Sequence, residues 1–226
     1  MIKAVIFDMF ETLVSLFEGR TYFGEHIAAD VGVDPVLFRK EWHTIEDARS
    51  IGTYTIEEGL EVVLKKLGVY TEEKVILAAQ GRIDSLTDTF NGIPDATFEM
   101  LDELKKRNLK IGLITNTFSD ERDFIRESRL FPYFDVALIS YEQGICKPNP
   151  EMFSRMTDRL GLKADECLYV GDGGSKELFA ARDIGMKPVQ CLYYHHLAYE
   201  PHIPCGKLDG FDHIYDRSEL FSYLDP

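Results

Sequence analysis

The chain has 226 residues, of which 45% are hydrophobic and 28% are charged, and its formal net charge at pH 7 is −14. This length and apolar fraction suit one large or two small globular domains with a buried core. The negative charge argues against nucleic acid and anionic membranes as partners, although a local cation still permits a phosphorylated substrate. No apolar run approaches the roughly 18 residues that a membrane span needs.

Cysteine usage and the amino terminus both favour the cytoplasm. The four cysteines, Cys146, Cys167, Cys191 and Cys205, lie far apart and form no C-x-x-C pair. The apolar residues 2–7 are too few for the core of a signal peptide. We therefore expect free thiols in a reducing, cytoplasmic compartment. Composition does not decide between a monomer and a homodimer.

An apolar run near the amino terminus ends in a carboxylate. The residues Val5, Ile6 and Phe7 precede Asp8 and carry no charge. Such a run predicts a strand that is buried on both faces, as in a parallel sheet. Asp8 then lies at the carboxyl end of the strand, where open α/β sheets bind their ligands. Because an unpaired charge beside an apolar strand is unfavourable, we expect other parts of the chain to supply its partners.

Residues 15–91 show helical patterns and no pattern of a buried strand. The pair Asp34-Pro35 is typical of a helix start, with a capping residue followed by proline at the first helical position. Thr55 begins a capping box. Thr71 is predicted to cap a further helix that ends near Leu86. We therefore expect an all-helical segment inserted between the first strand and the rest of the sheet.

From residue 92 onward, apolar strands alternate with helical patterns. Strands are predicted at Lys110–Thr115, Val136–Ser140, Cys167–Val170 and Pro188–Tyr193. This alternation indicates βαβ units and a parallel sheet. The sequence thus predicts an α/β fold whose sheet starts near residue 3 and resumes after about residue 94.

Polar residues lie at the ends of three of these strands and in the loop after another. Asp8 follows the first strand, Thr115-Asn116 ends the second, Asp172 follows the fourth, and Lys147 lies in the loop after the third. Carboxyl ends of neighbouring parallel strands meet in one crevice. Two carboxylates in one crevice repel each other unless a proton or a cation lies between them, and oxygen ligands favour Mg²⁺. An ammonium and a hydroxyl beside such an ion suit a phosphoryl group.

The order of these residues resembles the haloacid dehalogenase superfamily of phosphatases and related hydrolases. Segment 8–12, with the sequence D-M-F-E-T, matches in part the first motif of that family, D-x-D-x-T. Thr115 at the end of an apolar strand matches the second motif, and Lys147 before a proline matches the third. Asp172, with Glu177 five positions later, matches the acidic fourth motif.

The resemblance implies a Rossmann-like catalytic core at residues 1–14 and 92–226 and an all-helical cap domain at 15–91. It also implies that Asp8 is a nucleophile that forms an aspartyl-phosphate. Mg²⁺ is then expected at a site made by Asp8, Asp172 and the backbone carbonyl of Phe10. Glu177 is expected to orient the metal shell.

The resemblance likewise implies roles in substrate binding. Thr115 is expected to donate a hydrogen bond to the phosphoryl oxygens, with help from the backbone of Asn116. Lys147 is expected to offset the charge between nucleophile and phosphate. In the helical segment, Arg49 and Arg20 are candidates for contact with a substrate anion. The implied substrate is a small phosphorylated metabolite.

One residue departs from the phosphatase pattern. The second residue after the nucleophile is normally an aspartate that acts as general acid and base, and here it is Phe10. The enzyme is therefore a phosphatase for good leaving groups, a phosphatase in which another group such as Glu11 stands in, a metal-independent 2-haloacid dehalogenase, or a catalytically weak phosphate-binding relative. Asp172 and Glu177 keep the phosphatase form of the fourth motif, which favours a Mg²⁺-dependent hydrolase.

Overall fold

A computed structural model describes residues 1–202 and 204–224 of the protein. Its strands are β1 (Ala4–Phe7), β2 (Lys110–Thr115), β3 (Val136–Ile139), β4 (Cys167–Gly171), β5 (Lys187–Cys191) and β6 (Asp212–Ile214). Within the described residues they form one parallel sheet in the spatial order β3-β2-β1-β4-β5-β6. The strand order reverses between β1 and β4, which is where doubly wound α/β proteins bind their ligands. The predicted α/β fold is confirmed.

Strand β1 lies at the centre of the sheet because its residues can be buried on both sides. Val5 and Phe7 pack in the apolar cluster on one face, and Ala4 and Ile6 pack in the cluster on the other. All four residues are fully buried, as predicted for a central parallel strand. The backbone N–H of Asp8 donates to the carbonyl of Val170 at 2.9 Å, which ties the end of β1 to β4.

Helices cover the sheet and make up the inserted segment. The segment contains α1 (Gly24–Val31), α2 (Pro35–His43), α3 (Glu46–Ser50), α4 (Ile56–Lys66) and α5 (Glu72–Asn91). The helices that follow are α6 (Asp95–Lys106), α7 (Ser119–Glu127), α8 (Ser140–Gln143), α9 (Pro150–Leu160) and α10 (Glu177–Asp183). In the part of the chain that the structure describes, none of these helices combines the length and the apolar character of a membrane span.

The caps of the inserted helices are formed by the predicted residues. The Asp34 side chain accepts hydrogen bonds from the first turn of α2. Thr55 and Glu58 form the reciprocal capping box of α4. Thr71 caps α5, but this helix continues to Asn91 instead of ending near Leu86. No helix breaker lies in between, and the glycine and proline that do stop helices come only after residue 91.

The inserted segment has its own apolar core. Residues from α1, α2, α4 and α5 form a cluster separate from the two that cover the sheet, with Ile27, Phe38, Leu60, Leu64 and Ala78 at its centre. The division into a core at residues 1–14 and 92–226 and a cap at 15–91 stays a prediction, and this separate cluster supports it.

Four strand boundaries differ from the predictions. Strand β3 ends at Ile139, because Ser140 already begins α8. Strand β4 ends at Gly171, one residue beyond the predicted Val170. Strand β5 begins at Lys187, one residue before the predicted start, and ends at Cys191, short of the predicted Tyr193. Strand β6 was not predicted, because its three residues Asp212–Ile214 contain one apolar side chain and no alternation.

Candidate active site

Three carboxylates meet at the carboxyl ends of β1 and β4. Asp8 follows β1, Asp172 follows β4, and Glu177 is the first residue of α10. Each of them offers an oxygen that lies within 4.8 Å of those of the other two, and all three side chains are buried or nearly so. The two neighbouring central strands thus bring together residues that are 164 positions apart (172 − 8) in the sequence.

Lys147 provides the positive charge of this group. Its Nζ lies 2.6 Å from Oδ1 of Asp8 and also forms an ion pair with Oε2 of Glu177. The backbone N–H of Met9 donates a second hydrogen bond to the same Oδ1, at 2.7 Å. Two donors therefore fix one carboxylate oxygen of Asp8.

The side chain of Asn116 holds the Lys147 loop in place. Its Oδ1 accepts a hydrogen bond from the backbone N–H of Lys147 at 2.8 Å, and its Nδ2 donates to the carbonyl of the same residue at 3.1 Å. Asn116 therefore positions the lysine through its amide, which leaves only its backbone for the predicted contact with phosphate. Thr115, just before it, is fully buried at the end of β2.

The charges of the group do not balance, because one ammonium faces three carboxylates. Burial, followed by the negative charge of Asp8, raises the pKa of Asp172 to about 6 and that of Glu177 to about 8. Burial lowers the pKa of Lys147, but Asp8 and Glu177 outweigh this effect and raise it. A set of carboxylate oxygens with excess negative charge is the donor chemistry that Mg²⁺ prefers. The residues therefore fit a divalent cation.

Buried contacts around the fourth motif hold its acidic residues in place. A Cβ at Gly171 would lie 2.0 Å from Oε1 of Glu177, so only glycine leaves room for this carboxylate. The backbone N–H of Gly173 donates to the same oxygen at 3.3 Å. Gln190, fully buried on β5, donates from Nε2 to the carbonyl of Asp172 at 2.8 Å. Gln190 was not predicted from the sequence, although a polar residue inside an apolar strand is a signal of such a role.

Phe10 occupies the position that the family pattern gives to its general acid, and Glu11 is the next residue. The ring of Phe10 packs edge-on against Phe90, with 6.4 Å between the centroids. The carboxylate of Glu11 accepts hydrogen bonds from Oγ of Ser15 at 2.7 Å and from the backbone N–H of Leu16 at 2.9 Å. Burial raises the pKa of Glu11 to about 7. The carboxylate of Glu11 thus stabilises its own loop. These contacts argue against the hypothesis that Glu11 replaces the missing aspartate.

A cavity of about 330 Å³ lies beside the lysine, between core and insert. The core contributes Phe10, Asn116, Thr117, Phe118, Glu121, Cys146, Lys147 and Ser175, and the segment 15–91 contributes Leu16, Glu46, Asp47 and Ser50. Glu46 and Asp47 were not predicted, because no local pattern indicates which face of a short helix turns toward the core.

A second cavity of about 330 Å³ adjoins the first, since Leu16, Glu46, Phe118 and Glu121 line both. Arg49 lines this second cavity and is buried. Arg20 lines neither of the two; its Nη1 lies 3.4 Å from Oδ2 of Asp84 at the surface. Of the two arginines named from the sequence, only Arg49 thus lines a cavity that adjoins the one beside Lys147.

Similar proteins carry the names of phosphatases and dehalogenases. Glyceraldehyde 3-phosphate phosphatase from Methanocaldococcus jannaschii is 40% identical over 98 residues, which is 42% of this chain and 42% of that protein. The protein of the same name from Methanopyrus kandleri is 28% identical over 204 residues, or 84% of each chain. The first match therefore covers less than half of its relative, and the second covers most of it.

Structural comparison gives the same fold. The crystal structure of 2-haloacid dehalogenase from Pseudomonas syringae pv. Tomato DC3000 matches with a TM-score of 0.69 at 24% identity, covering 99% of this chain and 98% of that one. The family model described as haloacid dehalogenase-like hydrolase matches residues 2–185. This span holds the strand ends, the lysine and the three carboxylates, and the chain belongs to the family of haloacid dehalogenase-like hydrolases.

Proposed function

We propose that the protein is a Mg²⁺-dependent hydrolase of small phosphorylated metabolites that works in the cytoplasm. The observation that carries this proposal is the unbalanced group at the ends of β1 and β4, in which Asp8, Asp172 and Glu177 lie within 4.8 Å of one another and share one lysine. The names of the curated relatives agree with phosphate ester hydrolysis.

Asp8 is the nucleophile of the proposed reaction. Its Oδ1 is held by Met9 and Lys147, so the attack is assigned to Oδ2. Oδ2 forms a bond to phosphorus while the bond from phosphorus to the substrate oxygen breaks, which gives an aspartyl-phosphate and releases the leaving group as its oxyanion, to be protonated by solvent. Water then attacks this phosphorus, the bond between phosphorus and Oδ2 breaks, inorganic phosphate is released with the protons of the water, and the carboxylate is regenerated.

The surrounding residues bind the phosphoryl group and offset its charge. The carboxylates of Asp8, Asp172 and Glu177 and the carbonyl of Phe10 would hold Mg²⁺, which neutralises negative charge when bound. Lys147 adds a fixed positive charge beside the nucleophile. The hydroxyl of Thr115 donates a hydrogen bond to a phosphoryl oxygen. The helical cap at residues 15–91 covers the cavity and excludes water.

Phe10 limits the range of substrates that the enzyme can hydrolyse. It can neither protonate a leaving oxygen nor activate water, and general acid–base help is worth about 10²–10⁴-fold. We therefore assign the enzyme to esters with good leaving groups, such as acyl or aryl phosphates. The same residue favours a second candidate function, 2-haloacid dehalogenation, because halide leaves without a proton.

A substrate panel with and without chelator tests the proposal. We expect release of phosphate from aryl and acyl phosphates that needs Mg²⁺ and stops in excess EDTA. Release of halide from 2-haloacids that persists in EDTA would replace this function with the dehalogenase. Turnover of neither class would leave a phosphate-binding relative.

A further inference from the structure

The Arg49 guanidinium is buried without an acceptor for its donors. The residue is 2% exposed, and its Nε and Nη1 have no hydrogen-bond partner among the described residues. Its guanidinium carbon lies 3.7 Å from the ring centroid of Trp42 and 3.9 Å from that of Phe118. Two aromatic rings thus stack on a planar cation whose Nε and Nη1 donate no hydrogen bond.

The position of Arg49 is built into the fold. A Cβ at Gly59 would come within 3.0 Å of its Cδ, so this glycine leaves the space that the arginine stem occupies. The carbonyl of the next residue, Ser50, accepts a hydrogen bond from Oγ of Ser140 at 2.7 Å, which fixes the end of α3 against the core. The guanidinium is therefore held at the wall of the second cavity and does not move freely.

Neighbouring acids already have partners other than Arg49. Glu121 and Asp120 accept hydrogen bonds from Arg82, at 2.7 and 2.8 Å. Oε2 of Glu46, which lines both cavities, contacts Nδ1 of His43. Burial lowers the pKa of Arg49 to about 10, so its charge persists at neutral pH. Two donors of a permanent cation, Nε and Nη1, are therefore left without an acceptor at the cavity wall.

A buried cation with unpaired donors is costly unless a ligand supplies the acceptors. A flat guanidinium held between rings matches a carboxylate, whose two oxygens accept in one plane. The second cavity adjoins the one beside Lys147, and together they have the size of a small-molecule site. A substrate that spans both would place its phosphate near Asp8 and its far end near Arg49.

We propose that Arg49 binds a carboxylate at the far end of the substrate, so that the enzyme acts on phosphate esters of phenolic carboxylic acids. This inference rests on the proposed phosphatase function. Arg49 is then a specificity-determining residue: it contributes to binding of the carboxylated substrate and contributes little to the hydrolysis of an ester that lacks the carboxylate.

Matched substrate pairs test this proposal. The first pair is 4-carboxyphenyl phosphate and 4-carbamoylphenyl phosphate, and the second is 4-(carboxymethyl)phenyl phosphate and 4-(carbamoylmethyl)phenyl phosphate. We expect the wild-type protein to prefer the carboxylate in kcat/KM. Arg49→Met should lower kcat/KM on the carboxylated member about 10- to 100-fold, the size of a lost charge-assisted hydrogen bond, and should change the uncharged member less than about 3-fold.

Two further variants separate recognition from a general effect on the fold. Arg49→Lys keeps the charge but loses the planar fork, so its loss should be intermediate. Arg155, a half-buried arginine that is paired with Glu151 at 2.6 Å and lines neither cavity, gives the matched control Arg155→Met, which should behave as wild type on all four esters. If Arg49→Met does not fold, the preference of the wild-type protein and of Arg49→Lys for carboxylated esters still decides the matter.

The outcomes separate this inference from the function on which it rests. Phosphate release from both members of each pair with equal kcat/KM, or an equal loss on both members in Arg49→Met, overturns the carboxylate site and leaves the phosphatase intact. No phosphate release from any ester overturns the proposed function and the carboxylate site with it.

Discussion

Two buried ion clusters lie close together in this protein and differ in their balance of charge. The strand-end cluster contains Lys147 with the three carboxylates that follow β1 and β4. The arginine cluster contains Arg82 of α5, which donates to Asp120 and Glu121 in the first turn of α7, with Arg49 nearby. The first cluster therefore has one cation for three carboxylates, whereas the second has two cations for two.

The pKa shifts show what this difference means. Burial raises the pKa of Glu121 and that of Glu177. For Glu121 the next largest influence is Arg82, which lowers the pKa, but for Glu177 it is the negative charge of Asp8, which raises it further. A second carboxylate therefore adds to the effect of burial on the pKa in the strand-end cluster, whereas a cation opposes that effect in the arginine cluster. Charge imbalance, more than burial, thus separates a site that fits a metal from a cluster that joins insert and core.

The largest expected difference between the clusters is in activity. Asp8→Asn removes the nucleophile and should lower phosphate release on the order of 10⁴-fold or more, while the fold is retained because a charge is removed from an acidic group. Asp120→Asn is the matched control, since Asp120 also accepts from a buried cation. It should stay within about 10-fold of wild-type activity. Steady-state assays with an aryl phosphate measure both.

Equal activity loss in the two variants would contradict the assignment of chemistry to the strand-end cluster. Circular dichroism of Asp8→Asn provides the control, because a variant that unfolds says nothing about the nucleophile. The control Asp120→Asn should instead show a lower midpoint in denaturant.

The next largest effect is on the free energy of unfolding. It is expected when the cation of each cluster is replaced by methionine. Arg82→Met leaves Asp120 and Glu121 buried without their partner and should cost about 3–5 kcal/mol of unfolding free energy. Lys147→Met likewise leaves Asp8 and Glu177 without their cationic partner, but these carboxylates belong to a site that fits a divalent cation. Saturating Mg²⁺ should therefore offset much of its loss, and the loss in Arg82→Met should not respond. Urea unfolding with and without Mg²⁺ measures both variants.

A response of Arg82→Met to Mg²⁺ as large as that of Lys147→Met would remove the distinction between the clusters. The exposed pair of Lys105 and Asp135 offers a further control. Lys105→Met should change the unfolding free energy by less than about 1 kcal/mol in either condition.

The two clusters also differ in how far the sequence reveals them. Asp8, Thr115 and Asp172 each follow a recognisable apolar strand, and parallel strands bring their ends together, so local patterns suffice to suggest that these side chains converge. The arginine cluster depends on how α5 of the insert packs against α7, and no local pattern indicates which of their polar residues meet. Arg82 was accordingly not singled out.

Some parts of the strand-end cluster also depend on packing that the sequence does not show. The amide of Asn116 holds the Lys147 backbone, and Gln190 holds that of Asp172, both through contacts between distant loops and strands. The fold class follows from strand and helix patterns, whereas the short β6 lacks such a pattern.

Metal binding at the strand-end cluster should raise the unfolding free energy of the protein by less than the loss expected in Arg82→Met. A cation that binds only the folded state at 100 times its Kd adds about 2.7 kcal/mol. For a domain of this size that corresponds to roughly 5–10 °C in Tm. Asp172→Asn should abolish most of this shift and Asp120→Asn should not. A thermal shift series in MgCl₂, with NaCl of equal ionic strength as the control, checks this; equal shifts in the two salts would argue against the metal site.

The smallest expected effect, taken over one pH unit above pH 6, is the dependence of stability on pH in the absence of metal. In the folded protein the pKa of Asp172 is raised from 3.8 to about 6 and that of Glu177 from 4.5 to about 8. Between pH 4 and 8 the folded state therefore holds more protons than the unfolded state, so stability falls as pH rises through this window, by up to about 1.4 kcal/mol per pH unit for each extra proton.

Saturating Mg²⁺ should flatten this slope, because the metal takes the place of the protons and leaves the carboxylates ionised. Glu177→Gln should flatten it in EDTA as well, since one of the two titrating groups is gone. Urea unfolding at intervals between pH 5 and 8, in EDTA and in Mg²⁺, gives the two slopes. The same slope in both conditions would mean that the protons on these carboxylates do not stand in for a cation, and the strand-end cluster would then resemble the arginine cluster.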